Sequence, residues 1–104
     1  MTTHSTQLSA AIALTQLLTE HPELPVAGWS IGSIIPTLSG HLYGGMPELA
    51  AYADVLGGSV RAATDTYTLR GRQMRRHTLS SVWRDVPVEV SVALPVAQNA
   101  QVAA

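Results

Sequence analysis

The sequence predicts an α+β fold, a two-layer sandwich with two helices on one face of a mostly antiparallel, four-stranded sheet. Three observations carry that reading. Apolar residues recur at helical spacing in a long segment before His21 and in a short one after Met46. The last third of the chain alternates apolar and polar residues with the period of two that a half-buried strand needs. Tight turns separate those strands, so neighbours in sequence pair as neighbours in the sheet. The order is α-β-α-β-β-β, with no internal repeat and no linker. The 104 residues make one domain, residues 1–104, whose ends (1–5 and 96–104) are expected to fray.

The first element is "STQLSAAIALTQLLTEH". Leu14, Leu17 and Leu18 share a stripe with Ala10 and Ala11, and Leu8 and Ile12 widen it, while Ser9, Gln16 and Glu20 lie opposite. An apolar arc that wide predicts burial against more than one neighbour: the sheet, and either another helix or another subunit. Pro22 and Pro25 end the helix. "GWSIGSIIPTLSGHLYGG" is rich in β-branched and aromatic residues and reads as one extended segment. Its parity changes between Ile31 and Leu38, which a bulge at Ile34–Pro36 reconciles.

"MPELAAYADVLGG" is a short amphipathic helix. Pro47 suits its first turn, Glu48 favours the positive end of its dipole, and Leu49, Tyr52, Ala53 and Leu56 form its buried stripe. Gly57 and Gly58 supply a left-handed stop. Three strands then form a meander: "SVRAATDTYTL", "RQMRRHTLSSVW" and "VPVEVSVAL". A two-residue turn at Arg84–Asp85 fixes the register of the last pair, opposing Trp83 to Val86, Ser81 to Val88, Leu79 to Val90 and His77 to Val92. Opposed residues share a face, so His77, Leu79 and Trp83 join the valines in the core layer. Val82, Pro87, Ala93, Ser80, Ser91 and Thr78 form the other face, with only Arg76 and Glu89 as its charges.

Composition narrows the function. The chain is 46% hydrophobic and 12% charged, which argues against disorder. It has no cysteine, hence no disulfide framework, thiol nucleophile or thiolate zinc site, and it fits a reducing, cytoplasmic setting. No apolar run is long enough for a membrane span, and the start lacks the positive region of a secretory signal. The net charge of −1 conceals polarity: Glu20, Glu23, Glu48 and Asp54 are the only charges up to residue 60, whereas all six arginines and no lysine follow it.

Four of those arginines crowd "TLRGRQMRRHTL": Arg70, Arg72, Arg75 and Arg76. A hairpin turning at Gly71 would place Arg70 and Arg72 at its tip, with Arg75 and Arg76 on opposite faces of the next strand. This reads as a polyanion-binding finger, a protein contact or a solvated hairpin end. "GWSIG" fits the G-x-S-x-G pattern, with Ser30 as nucleophile, but lacks the strand-to-helix elbow and large sheet that motif requires. No phosphate loop, metal-ligand spacing or paired carboxylates appear, so no cofactor and no metal are expected. Trp29, His41 and His77 are the candidates to line a small pocket.

At "GWSIGSIIPTLSGHLYG", "LAAYADVLGGSVRA" and "HTLSSVWRDVPVEV" the chain resembles small actinobacterial proteins of unknown function, over most of residues 6–95. The resemblance implies a bacterial, cytoplasmic protein and no catalytic residues. The expectation is therefore a non-catalytic binding or accessory protein, a homodimer that buries the sheet's second face and the wide helix arc. Direct nucleic-acid binding through the arginine hairpin is the alternative, and a small ligand-binding domain or enzyme using the pocket is the third.

Overall fold

The turn at Arg84–Asp85 organises the sheet. In the computed structural model, which describes residues 3–96 and their side chains from residue 7, it joins strand β5 (Arg72–Trp83) to strand β6 (Val86–Pro95). Arg84 and Asp85 have φ of 52° and 68°, the left-handed pair that a two-residue turn matched to strand twist demands. Neither is glycine, which costs about 1–2 kcal/mol per residue. Arg84 offsets part of that cost. Its guanidinium pairs with Glu20 at 2.7 Å, donates to Gln16 Oε1 at 2.8 Å, and lies 4.6 Å over the Trp83 ring. The register is the expected one, from Trp83 opposite Val86 to His77 opposite Val92.

Helix α1 (Thr3–Glu20), strands β1 (Ala27–Ile31) and β2 (Leu38–Leu42), and helix α2 (Met46–Leu56) precede this hairpin. Strands β3 (Ser59–Ala62) and β4 (Tyr67–Leu69) complete the set. The strands run β1-β2-β6-β5-β3 across the sheet, with β4 also on β5. The α+β class holds, but the sheet has six strands and is mixed, because β2 lies parallel to β6 while every other pair is antiparallel.

Two departures from the expected four strands have local causes. The bulged strand is in fact a hairpin, β1 antiparallel to β2, with Trp29 opposite Gly40. Pro36 has no N–H for a ladder, and Gly32 N–H to Thr37 O (3.1 Å) and Thr37 N–H to Ile35 O (2.7 Å) close the connection around it. The first meander strand is also two, β3 and β4, separated by residues 63–66. Arg75 reaches across from β5 and donates to the carbonyls of Ala63 and, at 3.2 Å, Thr64, so the excursion has a built anchor.

Both helices cover one face. Ala10, Ala13 and Leu17 of α1 and Leu49 and Tyr52 of α2 are buried with Leu38, Leu42, Leu79, Val86, Val88, Val90 and Val92. Gly40 sits in this layer because the Trp29 ring lies over it; a Cβ there would meet the ring at 2.9 Å. Three polar side chains on the covered face are tied down. Trp83 Nε1–H donates to Ala13 O (2.9 Å), Ser81 Oγ–H to Leu56 O (2.8 Å), and Tyr52 O–H to Pro25 O (2.6 Å). Of the ends expected to fray, residues 1–2 and 97–104 lie outside the described residues; α1 begins at Thr3.

Candidate functional site

The uncovered face of the sheet carries most of the arginine chemistry. Arg72, Met74, Arg76, Thr78, Ser80 and Val82 of β5 point to it by alternation, and Glu89, Ser91 and Ala93 of β6 lie beside them. On the other flank Arg61 opposes Thr78, Tyr67 opposes Met74 and Leu69 opposes Arg72. A shallow concavity of about 280 Å³ opens there, lined by Arg61, Arg76, Thr78, Ser80 and Glu89 among others. The face is therefore less bland than the sequence suggested: Arg61 and Arg72 add to Arg76, and Glu89 is the acid among them.

The four arginines of the hairpin separate into two groups. Arg70 and Gly71 make the turn between β4 and β5, with φ of 52° and 77°, and put Arg70 and Arg72 at an exposed tip. Arg76 is exposed on the open face. Arg75 faces the helix side, half-buried, its guanidinium engaged by the Ala63 and Thr64 carbonyls. Its part is to hold the β3–β4 connection. Arg61, which the sequence reading passed over because it lies outside the cluster, joins Arg76 through strand pairing. Among the described residues, Arg61, Arg70, Arg72 and Arg76 form no ion pair.

The pocket candidates do not converge. Trp29 lies on the covered side, edge-on to Tyr52 with ring centroids 6.0 Å apart. It lines an apolar cleft of about 340 Å³ with Leu18, His21, Pro25, Val26 and Tyr52. Burial raises the Tyr52 phenol above its ordinary pKa. His41 pairs with Ser91 and so belongs to the opposite, open face, where its ring packs edge-on against Tyr43 at 5.4 Å. His77 is half-buried between Ala62 and Val92, its Nε2 without a hydrogen-bond partner among the described residues. Ser30 lies within strand β1 and pairs with Ser39 of β2, not in a strand-to-helix elbow. Among the described residues no group of three or more His, Asp or Glu is arranged to hold a metal ion, and no helix is long and apolar enough to cross a membrane.

A third surface carries no acidic or basic side chain from Asp, Glu, Lys or Arg. Residues 1–19 and 24–47 contain no Asp, Glu, Lys or Arg. The two segments meet where the Gln7 side chain donates to Gly32 O at 3.1 Å. Ile34 (93% exposed) and Ile35 (67%) follow Gly32 in the connection, and Leu8 (57%) follows Gln7 on α1 with Ile12 (49%) one turn on. Leu8, Ile12, Thr15 and Thr19 follow helical spacing on the side of α1 turned away from Ala10, Ala13 and Leu17. The wide arc read from the sequence is thus half used by the sheet.

No protein-family model matches the chain, and neither a curated protein nor a solved structure is similar to it.

Proposed function

We propose that the chain is a non-catalytic, cytoplasmic binding protein that works as a homodimer, held through the uncharged side of α1 and the β1–β2 connection. The observation that carries this reading is the exposure of Ile34, Ile35, Leu8 and Ile12 on two charge-free segments that meet at the Gln7–Gly32 hydrogen bond. Large aliphatic side chains concentrated in one uncharged patch mark an interaction surface. A second copy of the chain is the occupant favoured. The patch offers no charge with which to select a charged partner, and an apolar surface is complementary to itself about a twofold axis. The outer side of α1 from Gln7 to Thr19 is about 20 Å long. With the loop beside it, it offers roughly 500 Å² per protomer, about 1,000 Å² in total, at the lower bound for a specific interface. An interface of that size suits a dimer that dissociates on dilution.

The sheet's second face is the poorer dimer surface, since pairing two copies there would bury Arg61, Arg76 and Glu89 at a desolvation cost that only well-matched ion pairs repay. Sedimentation velocity over a dilution series tests the proposal. The wild type shifts from dimer to monomer on dilution, Ile12→Glu and Ile34→Asp are monomers throughout, and Val82→Glu on the open face dimerises as the wild type does. A wild type that is monomeric at every concentration, or a dimer lost only in Val82→Glu, overturns it.

A further inference from the structure

The open sheet face remains outward in such a dimer, and it carries a second, independent surface. We infer that Arg61, Arg70, Arg72 and Arg76 with Tyr67 bind single-stranded nucleic acid across this face. Arg72 and Arg76 are four residues apart on one side of β5, about 13 Å along the strand. Arg61 is opposite Thr78, hence diagonal to Arg76 and about 7–8 Å from it. Arg70, in the turn, continues the line to the tip. Four guanidiniums without an ion pair among the described residues therefore follow one track from the β3 edge of the sheet to the end of the hairpin.

Tyr67 sits within that track. It opposes Met74, which lies between Arg72 and Arg76, and the residue is 38% exposed on the same face. Arginines along a backbone path with an aromatic platform between them are the two components of single-strand binding. A duplex fits less well. Its bases are stacked and offer Tyr67 nothing, and a stiff rod does not follow the path from the tip onto the sheet. Of the acidic groups, Glu89 lies beside Ser80 in the same concavity as Arg61 and Arg76, and Asp65 stands in the β3–β4 connection. The arginines outnumber the one acid in the concavity, so the track stays net positive. Arg75 takes no part, because its guanidinium is already held by Ala63 and Thr64.

The test is fluorescence anisotropy with a labelled single-stranded oligonucleotide of mixed sequence, its duplex, and phosphatidylglycerol vesicles as competitor. Contact with three or four phosphates makes a fourfold rise in salt weaken single-strand binding by about 20–50-fold. Arg61→Ala/Arg76→Ala binds more weakly and reduces that salt effect to about sevenfold or less. Tyr67→Ala loses roughly tenfold in affinity with the salt effect unchanged. Arg84→Ala, at the far end of the hairpin, binds as the wild type does. Should the double variant prove unfolded by circular dichroism, Arg72→Ala alone tests the same track from the exposed tip. Absence of binding at low salt, a duplex bound more tightly than the single strand, complete displacement of the oligonucleotide by vesicles at lower concentration than by unlabelled single strand, or arginine variants that bind normally would each overturn the inference. None of these outcomes bears on the dimer, which the dilution series decides separately.

Discussion

Arg75→Ala separates structural arginine from binding arginine. The wild-type guanidinium donates to two backbone carbonyls, Ala63 O and Thr64 O, and no other side chain among the described residues supports that connection. Its removal leaves two acceptors whose loss of charged partners is tempered by solvent, since one of the two bonds is exposed. Hydrogen bonds to a charged group contribute about 1.5–3 kcal/mol when sheltered, so about 1–2 kcal/mol is expected here. In a domain of this size that lowers the melting temperature by about 4–16 °C. Arg76→Ala, one residue along but exposed and unpaired, shifts it by less than about 3 °C. The assay is thermal unfolding followed by circular dichroism on both variants, with limited proteolysis at residues 63–66 as a local readout. Equal melting temperatures for Arg75→Ala and wild type, or a larger loss in Arg76→Ala, would refute the division of roles.

Three further predictions concern the body of the fold. Leu79→Ala removes a fully buried side chain from the centre of β5 and destabilises by about 2–5 kcal/mol in urea unfolding, with an unchanged denaturant slope. Tyr52 has its phenol pKa raised above 10.0 by burial, so the stability it contributes is intact below that value and lost as pH rises through the folded one. Tyr52→Phe therefore flattens the alkaline limb of a stability–pH curve, and at neutral pH costs about 1–2 kcal/mol for the lost bond to Pro25 O. Glu48 accepts the Gly45 N–H at 2.7 Å, which lowers its carboxyl pKa from 4.5. Its contribution is present above that value and lost as pH falls through the folded one, so Glu48→Gln weakens the acid dependence of the melting temperature.

What the sequence made legible was local and periodic. The β5–β6 register followed from a two-residue turn and strict alternation, because a slip of one residue would turn every valine of β6 to water. Helix α2 followed from Pro47, the Leu49–Leu56 stripe and Gly57. The mixed topology was hidden, since nothing in "LSGHL" says whether it will lie parallel or antiparallel to β6. The splitting of two expected strands was hidden for a different reason. Pro36 looks the same in a bulge as in a hairpin connection, and the β3–β4 break depends on Arg75 reaching from another strand. Candidate residues fared likewise. The arginine cluster was visible as a run, yet a run does not reveal that Arg75 turns inward or that Arg61 completes the face from β3. Trp29, His41 and His77 looked like one pocket only until the sheet placed His41 on the side opposite the other two.

The measurement that bears most directly on a two-sided binding protein is a dilution series of amide correlation spectra, recorded without and then with the single-stranded oligonucleotide. Concentration-dependent shifts are expected in Gln7–Thr19 and Gly32–Thr37, and oligonucleotide-dependent shifts in Arg61, Tyr67 and Arg70–Thr78, with little overlap between the two sets. Concentration-dependent shifts centred on Val82, Pro87 and Ala93, or spectra that change with neither dilution nor oligonucleotide, would contradict two-sided binding.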